Sequence, residues 1–453
     1  MFLHSHKMKA SVLTSKPKQF VRSPSPPPAI DSLAYRLLHV APVLAAVRDG
    51  QGLDELLPQL SHYPPEVRAA LHDISHTALR WRGTTDFILR QLCQRAPDPL
   101  IYGLLDAALA LLLAERYEPH TLVDQTVQAA THTQEHSKGF VNGVLRNFLR
   151  QQPALLAAAQ QDLEARYNHP VWWVEKLQRT YPAHWETILQ TAQAHPPLTL
   201  RVNQRHLTPA DYLQRLIDVD LQGKVVGEQA VQVTPPVPVT QLPGFAAGWV
   251  SVQDAGAQWA APLLDVQQGQ RVLDACAAPG GKTGHLLEVV DCEVLALDVA
   301  EKRLQRVRDN LQRLGLSAQI QVGNALQADL WWDGQPFDRI LADVPCSAAG
   351  ISARHPDIRW RRFPQDLLSL QRQQLQMLQA LWPLLKAGGK LLYATCSIFP
   401  EEGEQVITKF LKATASASRL PVSVGFAGQL LPGVAQGTSG DHDGFFYALL
   451  LKS

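Results

Sequence analysis

Two cysteines stand at positions where they could take part in chemistry. Cys346 lies in a Pro-Cys-Ser triplet just after an apolar run that ends at Asp343, and Cys396 lies in a Thr-Cys-Ser triplet after a second such run. Most cysteines are small buried hydrophobic residues, and we interpret Cys93, Cys276 and Cys292 in that way. If the two predicted strands are neighbours, both remaining thiols and the carboxyl group lie together at one edge of a sheet.

A thiol beside a carboxyl group suits one kind of methyl transfer. Carbon 5 of cytosine is a poor nucleophile, but addition of a thiolate to carbon 6 makes it enamine-like, so that it can take a methyl group. Covalent catalysis of this kind divides one difficult step into easier ones. A free thiol has a pKa of about 8.5, so such a site must favour the thiolate. The Asp343 carboxyl group could stabilise the adduct at the N3/N4 edge of the base.

The residues from Arg271 to Thr283, RVLDACAAPGGKT, predict a strand, a glycine turn and a helix. Glycine lets a ligand approach the backbone closely, and a helix start offers free N–H groups. The final Gly-Lys-Thr resembles a phosphate-binding loop, but Cys276 replaces the first glycine of that motif. The dinucleotide pattern GxGxxG is also absent, because Gly280 and Gly281 are adjacent. The turn therefore favours a nucleoside-like ligand without a diphosphate.

An acid at the end of the next predicted strand narrows the choice of ligand. Asp298 lies roughly 20 residues beyond the glycine turn, where doubly wound sheets bind a ribose diol. Ribose binding without phosphate binding indicates S-adenosylmethionine. The rival enzyme is an ATPase with a modified phosphate loop, which Cys276 disfavours.

Strands and helices alternate after residue 250, which predicts an α/β fold with an open, doubly wound, Rossmann-like sheet over residues 246–453. A long helix is predicted from Gln365 to Lys386 because its leucines recur at helical spacing. Ligands of such sheets bind beyond the carboxyl ends of the strands, where the glycine turn and both cysteine triplets fall. The predicted strands are 271–275, 293–298, 318–322, 337–343, 389–395 and 444–451.

The chain before this sheet divides into three predicted segments. Residues 1–30 contain no acid and no apolar core of a secretory signal, and they predict a disordered leader. Residues 31–152 are predicted to be all-α, with prolines at 64–65, 97–99 and 119 as helix starts or breaks. Residues 153–245 predict a small mixed α/β connector, in which the tryptophans are expected to belong to the core.

One helical segment, residues 137–150, carries a polar face. Asn142, Arg146 and Arg150 fall on one side of the helix, whereas Val141 and Leu145 fall near the other. This face is consistent with contact to RNA and equally with a solvated surface. A pure RNA-binding protein, whose activity resides in these helices alone, is the alternative from outside the enzymes.

The composition limits the classes of partner. The net charge of 453 residues is +1, so any nucleic-acid surface must be local. Five cysteines form no Cys-x-x-Cys pair, which argues against a disulfide framework and structural zinc. We therefore expect a reducing compartment, the cytoplasm, and a monomer without a metal. The longest apolar run, residues 107–114, is too short to span a bilayer, so no membrane partner is expected.

Several motifs together resemble one family. FDRILADVPCSA (337–348), DACAAPGGKT (274–283), RHPDIRW (354–360), TCS (395–397) and DGFFYA (443–448) resemble the Fmu/Sun group of RNA cytosine-5 methyltransferases. SKGFVNGVLR (137–146) is similar to the NusB-like RNA-binding domain of the RsmB branch. The resemblance covers residues 31–453. It implies a class I methyltransferase that uses S-adenosylmethionine to methylate a cytosine of small-subunit (16S) ribosomal RNA.

The resemblance also implies roles for individual residues. Cys396 would be the nucleophile, Cys346 would help to release the enzyme, and Asp343 would be the third catalytic residue. Asn324 stands where the family more often has an acid that meets the adenine. The implied cofactor contacts are Cys276, Ala277, Ala278, Pro279, Gly280, Gly281, Lys282, Asp298, Asn324 and Asp343.

A basic-aromatic cluster between residues 354 and 362 is the strongest predicted RNA surface. Arginine can contact phosphates, and tryptophan can stack on bases. Arg354, Arg359 and Trp360 are therefore predicted to contact RNA, together with Arg146 and Arg150 of the helical segment.

Overall fold

The computed structural model describes residues 26–422, 428–436 and 439–453. Most of the predicted leader, residues 1–25, lies outside the described residues. Within the described part of the chain, we find no helix with the length and apolar character needed to cross a membrane.

The N-terminal region is a bundle of helices, as predicted. Prolines begin its third, fourth and fifth helices, because proline at the first helical position loses no hydrogen bond. Leucine, alanine and valine side chains from all the long helices fill one core. The helices are α1 (Leu33–Arg48), α2 (Leu53–Leu56), α3 (Pro65–Leu92), α4 (Pro99–Leu113), α5 (Pro119–Thr133) and α6 (Lys138–Ala159).

The connector is a mixed subdomain. Its four short strands form an antiparallel sheet in the order β2-β3-β1-β4. Its helix over Pro209–Ile217 begins with a capping box, in which the Thr208 side chain accepts from the backbone N–H of Asp211 and the Asp211 carboxylate accepts from the backbone N–H of Thr208. The elements are α7 (Leu163–Tyr167), α8 (Val171–Thr180), α9 (Trp185–Gln193), β1 (Leu198–Val202), α10 (Pro209–Ile217), β2 (Gln222–Val225), β3 (Ala230–Thr234) and β4 (Val250–Val252).

The rest of the chain forms the predicted open sheet, with helices on both faces. The strand order is β10-β12-β9-β8-β5-β6-β7, and the strands from β9 to β7 in this order are parallel. The elements are α11 (Ala260–Leu264), β5 (Arg271–Asp274), α12 (Gly281–Val289), β6 (Glu293–Asp298), α13 (Glu301–Leu314), β7 (Gln319–Val322), β8 (Phe337–Asp343), α14 (Ile358–Arg361), α15 (Pro364–Leu381), β9 (Leu385–Thr395), α16 (Glu404–Ala413), β10 (Ala417–Leu420), β11 (Gln429–Leu430) and β12 (Phe445–Lys452).

Three boundaries differ from the prediction. Helix α6 continues past residue 152, and β4 pairs with the connector sheet although it lies beyond residue 245. The predicted helix end at Lys386 is wrong, because α15 ends at Leu381. Pro383 follows at once, and proline cannot continue an α-helix, so the chain passes through one 3-10 turn into β9.

Candidate active site

The two cysteine triplets meet at the carboxyl edge of the sheet. Strands β8 and β9 are parallel neighbours, and Asp343 pairs in register with Ala394. The Sγ atoms of Cys346 and Cys396 lie 3.4 Å apart, and each cysteine is half-buried. Both thiols line a cavity of about 300 Å³. The predicted juxtaposition of two thiols and a carboxyl group is therefore present.

The surroundings of Cys346 keep its sulfur protonated. The pKa of the Cys346 thiol is raised well above its usual range by the hydrogen bond to Cys396, and also by burial and by the negative charge of Glu402. A thiol in this state holds a proton at rest. It can act as a proton donor toward its neighbour.

Lys282 and Asp343 form an ion pair beside the thiols. The Lys282 Nζ atom lies 2.7 Å from Asp343 Oδ2. Burial lowers the pKa of Lys282, but the charge and hydrogen bond of Asp343 more than offset this, and Cys396 adds to the rise. The ammonium group is therefore fully charged at neutral pH, and it holds the carboxylate of Asp343 in place.

The glycine turn between β5 and α12 needs glycine at residue 280. The φ angle of Gly280 is +97°, a conformation that side chains disfavour, and a Cβ atom there would lie 3.1 Å from Cα of Val307. At the start of this turn, the Thr283 hydroxyl donates to Asp274 at 2.7 Å. Burial raises the pKa of Asp274 to about 7.

Arg201 of the connector also holds this turn, a role that the sequence did not reveal. Its guanidinium group is fully buried and donates to the Gly281 carbonyl oxygen at 2.8 Å. It also forms two hydrogen bonds to Glu288, at 2.8 and 2.6 Å, and one to Gln253 at 2.6 Å. The connector sheet is thereby bonded to the first residue of α12.

Asp298 ends β6 beside the same turn. Its carboxylate accepts hydrogen bonds from the N–H groups of Ala278, at 3.2 Å, and Ala300, at 3.3 Å. Arg303 pairs with it at 3.3 Å. Just after the neighbouring strand β7, the Asn324 side chain accepts a hydrogen bond from the backbone N–H of Leu326 at 3.0 Å and closes a tight turn.

Half of the predicted cofactor residues form the wall of the cavity. These are Cys276, Ala278, Asp298, Asn324 and Asp343. The other predicted residues shape the turn behind that wall: Ala277, Pro279, Gly280, Gly281 and Lys282. Among the wall residues that sequence reasoning missed are three helical side chains, Arg303 of α13 and Gln373 and Met377 of α15, because nothing in a helix pattern shows which side chains reach a site.

The predicted RNA contact at Arg359 is wrong. Its side chain is fully buried, and its guanidinium group donates to three backbone carbonyls and to the Gln193 side chain at 2.7–3.2 Å. Burial of a charge is costly unless hydrogen bonds compensate it, and these partners satisfy both terminal nitrogens, whereas Nε has no partner among the described residues. The guanidinium group is thus a fixed internal link between the α14 segment and the connector helices.

Arg354 and Trp360 also serve as internal contacts in place of the predicted exposed RNA surface. Arg354 bonds Asp443 at 2.6 Å and Asp254 at 3.0 Å. The Trp360 indole N–H donates to the Leu79 carbonyl oxygen at 2.9 Å, and Arg82 lies 5.1 Å from its ring centroid. We call residues 352–362, with the side chains that they bond, the interdomain joint.

The polar face of α6 has the predicted geometry. Val141, Leu145 and Phe148 are fully buried, whereas Arg146 and Arg150 are exposed. Arg146 donates to Asn142 at 3.1 Å, and Arg150 donates to Asn147 at 2.7 Å, so each guanidinium group bonds only its own helix among the described residues.

No metal-binding arrangement is found in the described ranges. A search for three or more His, Cys, Asp or Glu side chains placed to hold an ion gives none there.

Comparison with known proteins identifies the family. Residues 261–451 match the family model described as 16S rRNA methyltransferase RsmB/F. Residues 169–240 match the RsmF/B-like ferredoxin-like domain, and residues 38–150 match the NusB family. The chain is 41% identical to the ribosomal RNA small subunit methyltransferase B of Citrobacter koseri, over 92% of this chain and 98% of that protein. The chain belongs to the ribosomal RNA small subunit methyltransferase B family.

Other relatives agree with this assignment. The methyltransferase B of Pseudomonas syringae pv. tomato is 42% identical over 92% of this chain and 96% of its own length. A crystal structure of a methyltransferase homolog protein from Pyrococcus horikoshii superposes with a TM-score of 0.55 and 27% identity, over 64% of this chain and 97% of that one. The crystal structure of PH0851 gives a TM-score of 0.74 at 23% identity, over 92% of this chain and 99% of that one, which shows a common fold. This member of the methyltransferase B family is thus an enzyme with the predicted NusB-like bundle and Rossmann-like sheet.

Proposed function

We propose that the protein methylates carbon 5 of a cytosine in 16S ribosomal RNA, with S-adenosylmethionine as donor and a transient covalent bond between Cys396 and carbon 6. The observation that carries this proposal is the pair of sulfur atoms 3.4 Å apart in the wall of one cavity. Two adjacent thiols have separate uses in this reaction, since one sulfur must add to the base and the covalent bond must later break. The relatives named above supply the class of RNA.

The cavity fits S-adenosylmethionine better than a nucleotide triphosphate. Asp298 and Asp343 line it, and their oxygen atoms suit the hydroxyl groups of a ribose diol even though Arg303 and Lys282 pair with them. The turn lacks the first glycine of a phosphate-binding loop, because Cys276 stands in its place. Gly280 adopts the positive φ angle that the turn requires, and Cys276 and Ala278 of the same turn reach the cavity wall. Cys276, Ala278, Asp298 and Asn324 would hold the donor. When bound, S-adenosylmethionine supplies the electrophilic methyl group that carbon 5 takes.

In the proposed mechanism, Cys396 begins the reaction. Its thiolate adds to carbon 6 of cytosine, a bond forms between sulfur and carbon, and the electron pair moves toward N3. N3 takes a proton from solvent as this electron pair arrives, and the Asp343 carboxylate, which faces the same cavity, stabilises the adduct by accepting a hydrogen bond from the N4 amino group. Lys282 keeps this carboxylate oriented through the 2.7 Å ion pair. Carbon 5 is thereby made nucleophilic.

Cys346 acts at the end of the reaction in this proposal. After methylation, a base in the site or a water molecule takes the C5 proton, the electrons of the C5–H bond re-form the C5–C6 double bond, and the Cys396 thiolate is expelled. Cys346 holds a proton next to that sulfur, so it can donate this proton to the departing thiolate. Release therefore depends on Cys346, whereas attack does not.

We place the RNA contacts of the bundle on α6. Arg146 and Arg150 are exposed and one helical turn apart, so both can reach phosphates of one RNA strand. Arg359 of the interdomain joint is buried, so it does not offer a comparable contact to phosphates.

Single-cysteine variants test the mechanism. Purified wild type and variants are incubated with 16S RNA and radiolabelled S-adenosylmethionine, and bisulfite sequencing locates the modified cytosine. Cys396→Ala should abolish transfer but keep donor affinity. Cys346→Ala should accumulate a protein–RNA adduct that resists reductant on a denaturing gel. The matched control is Cys292→Ala, a half-buried cysteine outside the cavity wall, which should leave turnover unchanged.

Two results would contradict the proposal. Turnover by Cys396→Ala would show that Cys396 is not the nucleophile. Absence of an adduct with Cys346→Ala would show that Cys346 does not act in release. Binding of ATP without binding of S-adenosylmethionine would instead favour the ATPase.

A further inference from the structure

A buried glutamate lies behind the two thiols, and the mechanism above gives it no part beyond its effect on the pKa of Cys346. Glu402 belongs to the single 3-10 turn Pro400–Glu402 that follows the Thr-Cys-Ser triplet. Its side chain is fully buried. Burial of a carboxylate is costly unless hydrogen bonds satisfy it, so its partners show why it is tolerated there.

The Glu402 carboxylate binds the residue that follows each cysteine. Oε1 accepts from the backbone N–H of Ser347 at 2.7 Å, and Oε2 accepts from the Ser347 hydroxyl. Oε2 also accepts from the Ser397 hydroxyl at 2.6 Å. One carboxylate therefore connects the Pro-Cys-Ser and Thr-Cys-Ser triplets, which are 50 residues apart in the chain.

Two neighbours hold Glu402 in place, one through its side chain and one through its backbone. Gln374 of α15 donates to Oε1 at 3.1 Å, and the Tyr393 hydroxyl of β9 donates to the Glu402 backbone carbonyl at 2.7 Å. Among the residues that the structure describes, no lysine or arginine forms an ion pair with Glu402. Hydrogen bonds from the two cysteine triplets and α15 therefore satisfy this charge, and they are lost if either triplet moves away.

We propose that Glu402 is a positioning residue that holds the sulfur atoms of Cys346 and Cys396 at their 3.4 Å separation. This inference rests on the proposed function, in which the two thiols act in turn on one base. Without the shared carboxylate, each triplet is free to adopt its own loop conformation. Attack by Cys396 then continues at a reduced rate, and release slows more, because release needs both sulfur atoms in contact.

The test compares Glu402→Gln with Glu401→Gln. Gln keeps the shape of Glu402 but removes the charge and one acceptor oxygen. Glu401 is the adjacent acid, and its side chain pairs with Lys176 away from the triplets, so its variant controls for loss of a nearby charge. Each protein is assayed at full length for melting temperature, donor affinity, single-turnover methylation and steady-state protein–RNA adduct.

Glu402→Gln should lower kcat by at least tenfold, with the KM for RNA and the affinity for S-adenosylmethionine within about twofold of wild type. The adduct should be visible during turnover, as with Cys346→Ala but at a lower level. Glu401→Gln should match wild type in all four assays. A merely structural glutamate would lower the melting temperature and leave kcat per folded molecule unchanged, and that result would overturn the inference.

A second readout follows the thiol directly. The charge of Glu402 contributes to the raised pKa of Cys346, so its removal should shift the pH midpoint of iodoacetamide alkylation at Cys346 to lower pH. Peptide mass spectrometry separates alkylation of Cys346 from that of Cys396. An unchanged midpoint would contradict the inference.

Two provisions keep the test decisive. If Glu402→Gln does not fold, Ser397→Ala removes one donor from Oε2 and should give the same loss of kcat on a smaller scale. If the proposed function itself is wrong, wild type forms no 5-methylcytosine. If only the inference is wrong, wild type and Glu402→Gln have equal turnover.

Discussion

Two groups of arginines in this molecule differ in almost every physical respect. The interdomain arginines, Arg201, Arg354 and Arg359, lie between domains and donate to carboxylates and backbone carbonyls. The arginines of α6, Arg146 and Arg150, are exposed and bond only asparagines of their own helix among the described residues. Residue type alone predicted RNA contact for members of both groups. The comparison teaches that burial and bonding partners decide whether an arginine links domains or is available to a ligand.

The largest effect is expected at Arg201. Arg201→Met leaves Glu288 as a buried carboxylate without its cation, which should lower the free energy of unfolding by about 3–5 kcal/mol. The Gly281 carbonyl also loses a donor, so affinity for S-adenosylmethionine should fall by about tenfold. Urea unfolding and titration calorimetry measure the two effects. Arg205→Met, at a half-exposed arginine on the same connector, is the control and should change stability by less than about 1 kcal/mol.

Arg359→Met is expected to have the next largest effect. Several buried acceptors lose their donor at once, so the free energy of unfolding should fall by about 3 kcal/mol, with no change in the salt dependence of RNA binding. The control is Arg361→Met, which removes a partly exposed side chain of the same segment. If Arg359→Met reduced RNA affinity without any loss of stability, the distinction between the two groups would fail.

A pH effect is expected from the carboxyl group that Arg354 holds. Burial, and next the charge of Asp254, raise the pKa of Asp443 above its ordinary value of 3.8, and Arg354 offsets part of this rise. The folded chain therefore binds more protons than the unfolded chain between pH of about 4 and about 7, so this group makes stability fall as the pH rises through that window. The difference in urea midpoint between wild type and Asp443→Asn, measured across that range, should change with pH. A constant difference would contradict the assignment.

The smallest effect on stability, and the clearest effect on binding, is expected on α6. Arg146→Ala with Arg150→Ala should leave the melting temperature within error, because both side chains are exposed. RNA affinity should fall by about tenfold, and the slope of log affinity against log salt should decrease by about 1.5, which corresponds to two lost phosphate contacts. Filter binding at several salt concentrations measures both quantities. Equal slopes for variant and wild type would show that α6 does not contact phosphates.

The sequence predicted the sheet and the grouping of several side chains around the cavity, because both depend on local signals. An apolar run followed by a polar turn marks the carboxyl end of a buried strand, and all the groups that line the cavity as predicted follow such runs. The two exposed arginines of α6 followed from the 3.6-residue helical period. Strand β10 was missed because it is a short edge strand without alternation between apolar and polar residues.

The interdomain joint could not be predicted because its partners are distant in the chain. Three of the four Arg359 partners are 166 or more positions away, and Trp360 bonds a carbonyl 281 positions away. Local composition therefore shows a dense basic-aromatic cluster but not the surfaces that cover it. Glu402 was missed for the same reason, since its bonds to Ser347 join two triplets on different strands.

The interdomain joint also has a consequence for how a target is chosen. Trp360 and Ala353 of this joint bond Leu79 and Arg80 of α3, which packs in the same hydrophobic core as α6. The joint itself follows shortly after the Cys346 triplet in the chain. The outer surface of α6 and the two sulfur atoms are thereby connected through hydrogen-bonded elements. Under the proposed function, an RNA that contacts both must present a phosphate backbone and an accessible cytosine at the spacing that these elements set, so recognition would depend on the tertiary shape of the RNA.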